Sequence, residues 1–411
     1  MSARRGRAAW LVAAVAGAPS LLAVPAVPDS TDRMALDFSG PSGRVGVDPV
    51  VQVLAGTAGA ETWWDNCRGA RFEAELDGVW AFSGELLERQ GVGDPRLVPW
   101  LAQGVLPAWG RPKRTDDQGF DLARATAAAA YRRGGFQAEV GYGAPHVGPG
   151  MRSVLLSRDA APAPYARAAH GAARGYGAVS ALQWSAADRL GPGSTAEPPY
   201  RWARTGVAEA GLARDRFAAT ALVAATQSGL PDRAAPLRAW GGLTAEVRGG
   251  GPTARWTAYL VTAVGSDGAR RPTGYGTLIG VRAAGPRWRT AAEVHIDRAA
   301  RAGLDHAGLP VGLLRPAATD GTGALAVVAV TPVPRLRLEA AGSWYPELRH
   351  AVVEAGWSFR KPWRWEAVAG AGWADGWAFH LGTVAGVDRA AWGLGCGKPA
   401  RRWDEIPGGR P

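Results

Sequence analysis

The sequence predicts an all-β protein, a transmembrane antiparallel β-barrel of about 18 strands. Three observations predict it. Apolar and charged residues alternate with period two in segment after segment, each about ten residues long. The 19 tryptophans outnumber Tyr and Phe together, and many sit near predicted strand ends, where an indole can keep its body in lipid and its N–H in a polar layer. The chain opens on what reads as an export signal.

The elements follow in order. Arg4, Arg5 and Arg7 precede the apolar runs Ala8–Ala16 and Leu21–Val24, and Ala23–Ala26 offers small residues for cleavage. A basic start, an apolar middle and a small-residue exit make residues 1–26 a secretory signal peptide. Its removal takes three arginines from a formal charge of +11 and leaves the mature chain basic. Residues 27–66 read as a partly irregular N-terminal segment. The barrel is assigned to 67–403, with 404–411 as a polar tail. Within it Ala70, Phe72, Ala74 and Leu76 alternate with Arg71, Glu73, Glu75 and Asp77, and Phe136–Tyr142 follows the same rule. Trp288–Ile296, Leu336–Trp344, Ala351–Phe359 and Trp363–Trp373 repeat it. In each set one face is apolar and the other charged. The Ala-rich stretch Ala123–Tyr131 is ambiguous by period, and Gly134-Gly135 followed by a strong strand assigns it to a strand too. Turn residues separate the segments at Gly249–Gly251, Ser266–Gly268, Gly285-Pro286 and Ala374–Gly376. Longer loops are expected near 145–164, 188–202 and 298–321.

A soluble sandwich or propeller could also bury alternating strands. Against a propeller stands the lack of a recurring signature at regular spacing. Against a sandwich stand apolar faces made of Ala, Val, Leu and Trp, with few large residues to interdigitate. Trp80, Trp240, Trp288, Trp344, Trp363 and Trp377 are the expected interfacial residues. The barrel reading puts Ala292, Val294, Ala351 and Val353 against lipid and Arg289, Glu293, Arg337 and Glu354 in the lumen. After the signal no apolar run reaches the about 18 residues of a membrane helix. The implied place is the cell outer membrane.

Residues 141–165 carry a motif. A strand ending in Gly141, Gly143 and His146 runs into Gly148 and Gly150, then Arg152-Ser153, Leu155-Leu156-Ser157, Ala160 and Pro164-Tyr165. This resembles the signature of the capsule-assembly (Wzi-type) outer-membrane barrels and their gliding-motility-associated relatives. Arg158-Asp159 departs from it, since that family usually has Asp-Asn there. Asp305–Pro316, with His306, is similar to the family's long extracellular loop, and the likeness runs over about residues 47–395. The resemblance implies an 18-stranded barrel that holds surface polysaccharide or serves surface adhesion or motility. Physically, Gly148 and Gly150 allow backbone turns, Pro145 and Pro149 stop strand pairing, and 145–165 becomes the loop expected to turn into the lumen. It is read either as a structural plug or as a ligand-contact loop.

Searches for catalytic chemistry return little. The sequence has no His-Glu-x-x-His, no phosphate-binding loop and no Gly-x-Ser-x-Gly elbow. Gly370–Gly376 lies between two strands and opens no helix, so it is no dinucleotide fingerprint. Glu73 and Glu75 share a face, as lumen lining balanced by arginine. Six scattered histidines and two distant cysteines offer no metal site, and no cofactor, nucleic acid or enzymatic activity is expected. Cys67 and Cys396 lie near the two ends of the barrel sequence, so closure leaves both a disulfide and two thiols open. The candidate ligand-binding residues are His146, Arg152, Ser157, Arg158, Asp159, Tyr165, Trp202 and His306, with Tyr200, Arg201, Arg301 and Arg315 beside them. The expected partners are outer-membrane lipid and surface polysaccharide. The function expected is a non-enzymatic surface barrel; the alternative is a porin-like channel for small anionic or neutral solutes.

Overall fold

The computed structural model describes residues 36–94, 97–98, 101, 106, 109–110, 112–114, 119–144, 162–172, 174–189, 200–214, 216–230, 233–234, 238–251, 253–266, 272–298, 305–306, 309–310, 321–333, 335–344, 349–358, 366–373 and 377–385. Strand β1 is Leu36–Gly40. The strands β2 (Gly43–Ala58), β3 (Glu61–Leu76), β4 (Trp80–Val92), β5 (Gly119–Arg133), β6 (Phe136–Gly143) and β7 (Ala163–Ala172) follow. Then come β8 (Gly175–Arg189), β9 (Tyr200–Arg214), β10 (Phe217–Leu230), β11 (Arg238–Gly251), β12 (Ala254–Ser266) and β13 (Pro272–Gly285). The last are β14 (Trp288–Arg298), β15 (Gly321–Val333), β16 (Leu336–Trp344), β17 (Arg349–Ser358), β18 (Glu366–Trp373) and β19 (Trp377–Ala385). Strands β2 to β19 form a closed 18-strand antiparallel barrel and β1 is one extra strand. The ring closes where β2 meets β19, from Val51 opposite Ala385 to Ala58 opposite Ala378.

β2 has 16 residues and β19 only 9, so the start of β2 extends past its closing partner. β1 covers that stretch, Leu36 opposite Val47 and Gly40 opposite Gly43, and pairs N–H and C=O groups that would otherwise form a free edge. The chain reverses through tight turns at one end, at 77–79, 134–135 and 286–287 among the described residues. At Asp77 and Gly78 both backbone φ angles are positive, 52° and 64°, the twist a two-residue hairpin turn needs. The strand ends that the long connections 93–118, 144–162, 190–199 and 299–320 join are all at the other end. Short turns on one side and long loops on the other are the asymmetry of outer-membrane barrels, with the loops outside the cell.

The two faces separate as the alternation predicts. Val353 is 61% exposed on the outside and Glu293 1% exposed inside. Val294 and Ala292 also face out, and Arg289, Arg337 and Glu354 face the lumen. Trp80, Phe136, Phe217 and Trp288 each open a strand at the short-turn end and stand exposed on the outer surface. Trp64, Tyr275, Trp344, Trp373 and Trp377 do the same near the long-loop end, so two aromatic rings bound the apolar band. Ala123–Tyr131 is strand, within β5.

Two expectations are corrected. Trp240 is not interfacial: it points inward and packs with Trp184, Tyr259 and Leu278, on the same face of β11 as Glu246. Trp363 lies outside the described residues. The barrel begins at Gly43 rather than near Cys67, because residues 27–66 hold β1, β2 and the start of β3. Both faces of β2 are largely apolar, with Val51 and Val53 outside and Val50 and Leu54 buried inside, so period two is invisible there. Among the described residues no helix is long and apolar enough to cross a membrane.

Candidate functional site

The lumen wall is where the chemistry gathers. On β2, β3 and β4 the inward residues Gln52, Asp65 and Arg89 meet at neighbouring rungs of the ladder. Arg89 donates from Nε to Asp65 Oδ1 at 2.9 Å and from Nη2 to Oδ2 at 2.6 Å, and Gln52 Nε2 donates to Oδ2 at 3.0 Å. Both side chains of this bidentate pair are fully buried, a geometry that gives direction as well as strength. Next to it Arg124 on β5 is paired with Glu85, and Arg71 Nη2 lies 3.7 Å from the same carboxylate.

This part of the lumen is covered. Trp109, from the connection between β4 and β5, lies over the guanidinium of Arg124 at 5.2 Å and that of Arg89 at 5.9 Å. Phe120 flanks Arg89 at 5.9 Å. These are cation–π distances, and they place Trp109 of that connection inside the barrel. Leu97, Leu101 and Leu106 of the same segment are buried too.

Around the wall, Arg167 on β7 holds Glu209 on β9 through two contacts of 2.5 and 3.2 Å. Trp184 Nε1 donates to Thr205 at 2.8 Å, which shares a hydrogen bond of 2.7 Å with Thr226. Tyr259 donates to Glu293 at 2.6 Å. Its ring crosses Gly280, where a Cβ would stand 2.4 Å from the ring, so only glycine fits beneath it. Near the closing strands Arg337 reaches three carboxylates, Glu339 at 2.6 Å, Glu354 at 2.9 Å and Glu366 at 3.0 Å. Glu354 also meets His380 Nε2 at 3.1 Å, and Glu339 lies 3.8 Å from Arg289.

The sequence candidates fall elsewhere. His146, Arg152, Ser157, Arg158 and Asp159 lie outside the described residues, as does the stretch 145–161 expected to turn inward. Tyr165 is not on a loop. It stands inside β7, facing the lumen, where its hydroxyl donates to Glu139. Trp202 lies in β9 opposite Gly229 and Ser185, close to the long-loop end, with an irregularity in pairing between it and Tyr200. His306 belongs to a short pairing of Asp305–His306 with Leu309–Pro310 in the β14–β15 connection. The described residues therefore do not gather the candidates into one site. Cys67 is buried on the inward face of β3 and disulfide-bonded; the one other cysteine, Cys396, lies outside the described residues. Among the described residues no group of three His, Cys, Asp or Glu is placed to hold a metal ion.

Sequence reasoning missed the Arg89–Asp65 pair and the in-turned 93–118 connection. A signal was present. Leu97, Leu101, Leu106 and Trp109 are large apolar residues in a connection rich in Pro and Gly, and exposed loops rarely carry so many.

Closed ring, apolar outer band, charged lumen and loop asymmetry define a class: the chain is an outer-membrane β-barrel of 18 strands. No protein-family profile matches the sequence, and no curated protein does. Among solved structures the chain is similar to Wzi of Escherichia coli, described as an outer-membrane protein involved in group 1 capsule assembly and a carbohydrate-binding β-barrel. That likeness has a TM-score of 0.51 at 12% identity and covers 82% of this chain and 84% of that one. It is also similar to Pseudomonas aeruginosa OpdK, solved with vanillate, with a TM-score of 0.48 at 11% identity over 83% of this chain and 98% of that one. OccK8 (OprE) of the same organism gives a TM-score of 0.46 at 9% identity over 83% and 97%. At these identities the likeness is one of fold.

Proposed function

We propose that this barrel is a closed, non-enzymatic surface protein that binds or organises polysaccharide outside the cell, as in capsule assembly or attachment. The observation that carries this reading is the occupied lumen. Leu97 and Leu106 of the in-turned connection are wholly buried, Trp109 lies on two wall arginines, and those arginines are held by Asp65 and Glu85. A conduit needs a water-filled path, and this arrangement favours a stopper. At the outer end Arg201 and Trp202 open β9, and the β14–β15 connection carries Arg301, His306 and Arg315. Guanidinium forks suit sugar carboxylates and hydroxyls, and aromatic faces suit sugar rings. The likeness to Wzi, described as carbohydrate-binding, supports the same reading, and surface adhesion or motility is a variant of it.

The second reading, a porin-like channel, draws its support from a wall set with Arg71, Arg124, Arg167 and Arg337. Planar-bilayer recording separates the two. The intact protein should give low conductance, and Trp109→Ala with shortening of the 95–111 stretch should raise it sharply. Cells lacking the protein should lose surface glycan. Large steady currents from the intact protein, with normal glycan retention in its absence, would select the channel.

A further inference from the structure

The outer surface carries one feature that lipid does not explain. Arg68 on β3 and Glu88 on β4 share a rung of the ladder and both point away from the barrel, 58% and 42% exposed. Arg68 Nε donates to Glu88 Oε2 at 2.9 Å, and Gln90 Nε2 donates to Glu88 Oε1 at 3.1 Å. Asn66 stands opposite Gln90 on the next outward rung. The pair is inside the apolar band, because Trp64 lies above Arg68 on the same face and Phe72 below it, while Leu86 lies below Glu88. Among the described side chains, the outward faces of β2 and of β11 to β19 carry no Asp, Glu, Lys or Arg between the two aromatic rings. Asp121 on β5 also faces out, opposite Gln90, and Arg133, Arg204 and Arg214 face out toward strand ends, whereas Arg68 stands near the middle of β3. A hydrocarbon tail offers Arg68 and Glu88 nothing to bind, and ionised groups at this depth are found where protein covers them.

We infer that the outward face of β3–β5 docks a second copy of this chain, about a two-fold axis along the membrane normal. The patch is its own complement. Two copies inserted the same way round can be related only by an axis along the normal, which exchanges left and right and preserves depth. Arg68 and Glu88 lie side by side on one rung, so each copy's Arg68 meets the other's Glu88, and each Asn66 meets the other's Gln90. Such an isologous contact closes at two copies. It turns two exposed ion pairs into a four-charge ring with amide donors at its side. The floor around the ring is shallow: Ala70, Ala123, Ala125 and Ala127 face out on the same strands, and small residues let backbones approach.

The test counts copies. Full-length protein, dye-labelled at one site and reconstituted at high dilution in phospholipid vesicles, is expected to bleach mainly in two steps. Arg68→Glu and Glu88→Arg each place like charges across the axis and should cut the two-step fraction at least tenfold. The double variant R68E/E88R should restore it. Mixing the two single variants in different colours should also yield mixed pairs, because opposite charges face each other again across the axis. Heat-modifiable migration on gels reports whether each variant has folded, and if a single variant has not, the native count and the double variant still decide. One-step bleaching of the native protein, or two-step bleaching that survives Arg68→Glu, would overturn the proposal.

Discussion

Two charge clusters line one lumen on either side of the β2–β19 seam and are built on different plans. Under the in-turned connection, Arg89 and Asp65 form a one-to-one bidentate pair with no exposure, braced by Gln52 and roofed by Trp109. Near the closing strands, Arg337 is shared among three carboxylates and remains 18% exposed, with Arg289 as a further cation and the His380 ring as a further contact. Both arise from the same alternation of apolar and charged residues. The difference teaches that alternation decides which way a charge points, while the covering decides what it is worth. A roofed pair is all or nothing, since losing one partner leaves a charge with neither water nor a counter-ion. A shared, partly wet cluster spreads each loss over several neighbours.

The sharpest way to break this comparison is to remove Arg89. Arg89→Ala leaves the Asp65 carboxylate buried beside the neutral amide of Gln52, and should destabilise the barrel by about 3–5 kcal/mol. Urea titration of the protein refolded in lipid vesicles measures it. Replacing both partners by apolar residues of similar volume should recover most of that loss. If the single change costs no more than the double, the roofed pair is not the isolated unit described above.

Next in size is a test of the wall's two faces on one strand. Val353 and Glu354 are adjacent on β17, one outside and one inside. Val353→Arg puts a charge on the lipid side and should cost about 2–4 kcal/mol near mid-membrane. Glu354→Gln, inside the shared cluster, should cost much less, because Arg337 keeps Glu339 and Glu366. The reverse order in the same vesicle assay would undo the assignment of faces.

How much of this was legible in the sequence depends on the contrast between faces. Where charge alternates with Ala, Val or Trp, as in β3 or β14, strand, face and depth could all be read. Where both faces are apolar, as in β2, the strand disappeared into an irregular segment. Trp240 misled because an aromatic near a strand end looks interfacial, yet its parity with Glu246 already placed it inside. The site was less legible. Arg89 and Asp65 are 24 residues apart and become neighbours through the β3–β4 register, which no local pattern specifies. The Arg68–Glu88 pair breaks the apolar run on both strands, and it could have been marked as an irregularity but not as a pair.

The smallest effect concerns the shared cluster. Arg337→Ala removes the central cation, but Glu339 keeps Arg289 at 3.8 Å and Glu354 keeps His380 at 3.1 Å. The main loser is Glu366, whose side chain is 18% exposed and can turn to water. The expected cost is about 1–3 kcal/mol, within the range for a lost hydrogen bond to a charged group. Mobile ions reach a partly wet cluster, and at 1 M salt charges are screened within about 3 Å, against about 10 Å at 0.1 M. The cost of Arg337→Ala should therefore shrink between those salt concentrations. That of Arg89→Ala should stay constant, since ions do not enter a fully buried pair. Equal salt dependence of the two variants would mean that the roof over Arg89 does not exclude solvent. The bilayer currents of the native protein should then rise with it.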